Sequence, residues 1–111
     1  MTTHLTQKKC TACIGGIPPL EGEALHGLFR QLSGWTLIEA HHLEKTYPFK
    51  NFKDALVFTN KVGELAETEG HHPDIEFGWG YATITLSTHA VGGLSENDFI
   101  LAAKIDRTTL Q

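Results

Sequence analysis

The stretch Asp74-Ile-Glu-Phe-Gly-Trp-Gly-Tyr-Ala-Thr-Ile-Thr-Leu-Ser87 decides the fold. Ile75, Phe77 and Trp79 alternate with Glu76 and Gly78, and Ala82, Ile84 and Leu86 alternate with Thr83, Thr85 and Ser87. A period of two puts apolar side chains on one face of an extended chain, so two strands joined around Gly80 are expected. Upstream, Ala55, Phe58, Val62, Leu65 and Ala66 form one stripe of a helix. Asn51 is its N-cap and Asp54 its third position, and it runs from about Phe52 to near Glu69. Gly70 is a weak helix former and Pro73 pushes His72 out of the helical region, which ends it. Before it, Trp35 and Leu37 alternate, and Leu43, Tyr47 and Phe49 share one parity, with a turn near Ala40 to His42. Pro48 has no N–H, so this second strand lies at an edge or ends there. Leu25, Leu28, Phe29 and Leu32 predict a first helix stopped by Gly34. Ser95 with Asp98 opens a last helix through Phe99, Leu101, Ala102 and Ile105 to about Arg107. Helix, strand pair, helix, strand pair, helix suits an α+β fold: a four-stranded antiparallel sheet with three helices packed on one face. Residues 1–111 read as one domain, with 1–19 an irregular segment punctuated by Gly15-Gly16-Ile17-Pro18-Pro19.

The 111 residues are 41% hydrophobic, enough for one real core. Thirteen acidic against nine basic side chains give a net charge of −4, which argues against a nucleic-acid grip. No stretch approaches the roughly 20 apolar residues that cross a bilayer. The opening Met1-Thr-Thr-His-Leu-Thr-Gln-Lys-Lys-Cys10 has no apolar run, so a cytoplasmic address is expected. Cys10 and Cys13 form one CxxC with three readings: reduced thiols packed on the domain, half of a zinc site, or a redox pair.

Glu67, His71, His72, Pro73 and Asp74 fall together where the central helix passes into the third strand. Imidazole is the side chain that exchanges a proton near neutrality. Adjacent histidines on an extended backbone point to opposite sides, so the two have different jobs. His89, at the end of the fourth strand, approaches them if strands three and four form a hairpin, which leaves Trp79 and Tyr81 at the far end as core or interface. His41 and His42, in a turn, read as surface residues. His71, His72, Asp74 and His89 contain enough donors for zinc, but neighbouring histidines diverge and no chelating i, i+4 pair appears, so no metal is expected. Phosphate-loop and GxSxG motifs are absent, leaving a small α+β domain with a histidine-rich pocket and acid–base chemistry.

Glu67-x-x-x-His71-His72-Pro73, followed by Trp79, His89 and Asp98, resembles the signature of the pterin-4a-carbinolamine dehydratases. The segments Gly34-Trp35, Phe49 to Asp54, Ile84 to His89 and Gly93 to Glu96 are similar to that family too, as is the Cys10-x-x-Cys13 opening to many bacterial members. The resemblance implies a cofactor-free lyase that dehydrates 4a-hydroxytetrahydrobiopterin, or a related pterin, to quinonoid dihydropterin. That step precedes a separate reductase in recycling the tetrahydropterin of aromatic amino acid hydroxylases, so a functional link to a phenylalanine hydroxylase is implied. A homodimer or homotetramer is implied as well, with no nucleic acid or membrane partner, though animal members also act as dimerisation partners of a transcription factor. By the same resemblance His71 and His89 are the acid–base pair and His72 chiefly holds the ring. Pro73 and the Ser87-Thr88 backbone shape the slot, and Glu67 hydrogen-bonds an imidazole. Asp98 matches the last signature position, with capping of the final helix as its alternative role. Gly70 departs from the family, many members of which carry a polar residue there, and so bears on how the His pair is oriented.

Overall fold

The computed structural model describes residues 5–11 and 17–109. After a short 3-10 turn at Leu5–Gln7 come α1 (Gly22–Phe29), β1 (Thr36–Ile38), β2 (His42–Pro48), α2 (Phe52–Glu69), β3 (Asp74–Gly78), β4 (Tyr81–Leu86) and α3 (Glu96–Thr108). The four strands form one antiparallel sheet in the order β1-β2-β4-β3. Thus α2 carries the chain from β2 across the sheet, and β3 returns it as a hairpin to β4, which pairs with β2 from Leu43↔Leu86 to Pro48↔Tyr81. Pro48 is the last residue of an inner strand, where its missing N–H interrupts nothing further.

The period-two pattern is realised as a buried face. Ala82, Ile84 and Leu86 of β4 are fully buried, as is Leu43 of β2, while the alternate residues of β4 are only half-buried. Ala55, Phe58, Val62 and Ala66 of α2 cover that face together with Phe99, Leu101, Ala102 and Ile105 of α3. Each large side chain so removed from water contributes about 1.5–3 kcal/mol. No helix among the described residues is long and apolar enough to cross a membrane.

Helix α2 has the expected bounds because its ends are chemically marked. The Asn51 side chain accepts the Asp54 N–H at 2.7 Å, and Gly70 closes the helix in the left-handed region (φ 68°). No atom lies within 4 Å of a Cβ added at Gly70, so that position wants glycine for its φ and not for space.

Four expectations need correction. Helix α1 ends at Phe29 instead of continuing to Gly34; Leu32 still packs on the core, but from irregular chain. The first hairpin turns at Glu39 and Ala40, both left-handed (φ 53° and 54°), so His41 lies in the turn and His42 already belongs to β2. Trp79, in the β3–β4 turn, is 72% exposed and is not a core residue. Strand β4 stops at Leu86, so His89 stands beyond it, at the start of a 3-10 turn His89–Val91 closed by the Thr88 N–H to Gly93 carbonyl bond of 2.7 Å.

Candidate active site

The walls of the site are built where elements end. Gly70 turns the chain out of α2, and Pro73 keeps it extended, so His71 and His72 leave the helix on opposite sides. His71 turns inward: its Nε2 lies 2.6 Å from Oδ1 of Asp98, a carboxylate fully buried in the first turn of α3. The other oxygen of Asp98 accepts from the Ser95 amide at 2.9 Å and the Thr88 hydroxyl at 2.8 Å. Asp98 therefore caps α3 and holds His71 at once.

His72 turns outward, and its Nε2 meets Oε2 of the exposed Glu67 at 2.5 Å. An ionised carboxylate only accepts hydrogen bonds. In both pairs Nε2 therefore carries a proton, and Nδ1 is the nitrogen that faces away from the carboxylate.

Thr88 is buried below the end of β4, its hydroxyl also 2.8 Å from that of Ser95, while its neighbour His89 is exposed. His71, His72 and His89 line one cleft of about 250 Å³, together with Ser87 and Thr88. The sequence-predicted residues thus divide. Those five share the cleft, whereas Glu67 and Asp98 stand behind imidazoles and Pro73 is not among the lining residues. Thr11, Gly70 and Asn97 complete the lining and were not singled out as contacts. Asn97 had a signal, as the neighbour of Asp98 in the same helical turn; Thr11 had none. No three His, Cys, Asp or Glu side chains among the described residues are gathered to hold a metal ion.

At the end of α2, Glu69 accepts the Cys10 N–H at 3.0 Å and pairs with Lys104 at 2.7 Å. Burial, then the Glu69 charge, pushes the Cys10 thiol up to about 12, so it stays protonated at neutral pH. A protonated thiol is a poor nucleophile and a poor metal ligand. Cys13, the other half of the CxxC, lies outside the described residues.

A family model described as pterin 4 alpha carbinolamine dehydratase matches residues 18–108. A protein of Rubrobacter xylanophilus, named provisionally as a pterin-4-alpha-carbinolamine dehydratase, is 55% identical over 95% of this chain and 98% of its own. A Methylococcus capsulatus protein with the same provisional name is 53% identical over 92% of this chain and 90% of its own. Among solved structures, a transcriptional coactivator/pterin dehydratase from Brucella melitensis superposes with a TM-score of 0.75 at 27% identity, covering 80% of this chain and 96% of that one. A pterin dehydratase-like protein described as a RuBisCO assembly factor of the alpha-carboxysome superposes with a TM-score of 0.58 at 27% identity, over 68% of this chain and 88% of that one.

Proposed function

The chain belongs to the pterin 4 alpha carbinolamine dehydratase family, and from that premise we propose that it dehydrates 4a-hydroxytetrahydropterins to quinonoid dihydropterins by histidine acid–base catalysis. The observation that carries this reading is the convergence of His71, His72 and His89 on one cleft, two of them held by carboxylates.

The reaction breaks the C4a–O bond. The leaving hydroxyl takes a proton and departs as water, a ring N–H gives up its proton, and the electrons of that bond form the new C=N bond. One group must donate and another accept, and a positioned imidazole contributes around 10²–10⁴-fold to such a step. His71 and His89 are assigned these two transfers. The Asp98 carboxylate fixes the tautomer of His71, so its Nδ1 is the exchanging nitrogen. His72, outward and tied to Glu67, is assigned to hold the ring. Ser87 and the Thr88 backbone shape the slot. Pro73 acts indirectly, by keeping the histidine pair out of the helix.

The same reading places the protein in the cytoplasm, as a homodimer or homotetramer without a cofactor, supplying the quinonoid dihydropterin that a separate reductase returns to the tetrahydropterin used by an aromatic amino acid hydroxylase such as phenylalanine hydroxylase. The test is to add the protein to freshly generated 4a-hydroxytetrahydropterin and follow quinonoid dihydropterin by absorbance. Acceleration over the spontaneous reaction is expected, and none would overturn the enzymatic reading.

A protein-binding role is the second reading, favoured by the exposed apolar side chains Phe52, Val57 and Trp79. It predicts no acceleration in that assay, together with association that weakens in Trp79→Ala.

A further inference from the structure

One wall of the cleft comes from a segment held in place by side chains. Thr11 lines the cleft beside Asn97, and it is neither in a helix nor in the sheet. The buried Asn97 amide grips its backbone at two points: Oδ1 accepts the Thr11 N–H at 3.0 Å, and Nδ2 donates to the Thr11 carbonyl at 2.6 Å. A primary amide that bonds both groups of one residue imitates a strand pair and fixes the rotation of the peptide.

The neighbouring residue is fastened as well. The Cys10 N–H reaches Glu69, and its thiol donates to the Asn97 carbonyl at 3.6 Å. Both anchors adjoin site residues, for Glu69 precedes Gly70 and Asn97 precedes Asp98. The segment is therefore registered against the same two turns that place His71.

We propose that Asn97 is a positioning residue that holds Thr11 as a wall of the cleft against bound substrate, so that the amino-terminal segment contributes to substrate affinity. This rests on the dehydratase reading. The proton-moving imidazoles do not depend on the Thr11 bonds, so loosening them affects binding and leaves the chemical step.

The experiment compares wild type, Asn97→Ala and Thr11→Pro in the carbinolamine assay, with hydrogen–deuterium exchange over residues 5–11. Asn97→Ala removes the grip from the helix side. Thr11→Pro removes the donated N–H at an exposed position, without touching the core. Both should speed exchange in the segment and raise KM about 5–10-fold, with kcat within about twofold of wild type. Faster exchange with unchanged KM, or a loss in kcat alone, would overturn the wall. Unchanged exchange would overturn the grip. A wild type that accelerates nothing defeats the dehydratase reading and this inference with it, whereas an active wild type with indifferent variants defeats only the inference.

Discussion

Two carboxylates on α3 each gather three donors. Asp98, in the first turn, takes the His71 imidazole, the Thr88 hydroxyl and the Ser95 amide. Asp106, near the last turn, takes the Trp35 indole at 2.9 Å, the Lys45 ammonium at 2.8 Å and the Tyr47 hydroxyl at 2.5 Å. The two hubs look alike as hydrogen-bond counts and differ in what their donors can do. An indole and an ammonium hold their protons near neutral pH. Burial, then Asp106, pushes the Tyr47 phenol above its usual range, so it too stays a donor. The Asp106 hub therefore ties α3 to β2 and to the chain before β1, and exchanges no proton. The Asp98 hub contains an imidazole, the one donor of the six that suits proton exchange near neutrality, and that imidazole borders the cleft. Two carboxylates with the same number of donors thus differ in whether one of their partners is an imidazole beside the cleft.

The strongest way to break this contrast is to remove the two imidazoles to which the proposed proton transfers are assigned. His71→Ala and His89→Ala should each lower kcat at least 100-fold, on the order of what one general acid or base supplies, with the fold retained by circular dichroism. Wild-type kinetics in the His89 variant would defeat the pairing. Next come the hubs themselves. Asp98→Asn should lower kcat roughly 10–100-fold, because an amide can present its N–H to His71 and allow the other tautomer. Asp106→Asn should leave kcat within about twofold and cost stability. The Asp106 side chain is about one-quarter exposed, so we expect a loss of about 1–2 kcal/mol, a fall in Tm of roughly 5–10 °C by thermal melt. Loss of activity with Asp106, or none with Asp98, would erase the distinction.

How much of this was readable in advance follows from the range of each interaction. Helix α2 was legible to the residue because Asn51 and Gly70 act on backbone three or four positions away. Strand β4 was legible because Ala82, Ile84 and Leu86 alternate without interruption. Helix α1 was drawn too long because Leu32 keeps helical spacing while packing from irregular chain, so periodicity reported burial and not conformation. The first hairpin turn was misplaced because left-handed Glu39 and Ala40 carry none of the usual Gly or Asn signal. Within the site, three histidines could be brought together by topology. The grip of Asp98 on His71 spans 27 positions and that of Asn97 on Thr11 spans 86, and at Asp98 the local capping box was the competing explanation.

A smaller effect sharpens the contrast between the two adjacent imidazoles. The His72 and Glu67 side chains are 60% and 79% exposed, against 11% for His71. An exposed imidazole–carboxylate contact contributes under about 1 kcal/mol, so His72→Ala should hardly change Tm. It should instead raise KM about 5–10-fold with kcat within about threefold, the signature of lost ground-state holding. His41→Ala, in the first hairpin turn, should be kinetically silent by the same steady-state assay; a large effect there would mean the cleft is not the site.

The smallest expected effect concerns Glu69, the residue before Gly70 of the cleft lining. Burial would raise the Glu69 carboxyl, but the Cys10 amide and the Lys104 ammonium outweigh it and hold the carboxyl below its ordinary 4.5. A group whose folded value is lowered contributes stability above its unfolded value, and that contribution disappears as pH falls through the folded one. Glu69→Gln removes the charge that Lys104 and Cys10 bind and leaves the rest of α2 intact. The Tm gap between wild type and Glu69→Gln should therefore be widest near pH 6 and close as pH falls below the ordinary 4.5. Because Glu69 fastens Cys10 beside Thr11, the same variant should speed deuterium exchange in residues 8–11 at neutral pH relative to wild type. A Tm gap that stays constant across this range would mean that the carboxylate is a bystander, and that the Asn97 amide alone holds the segment.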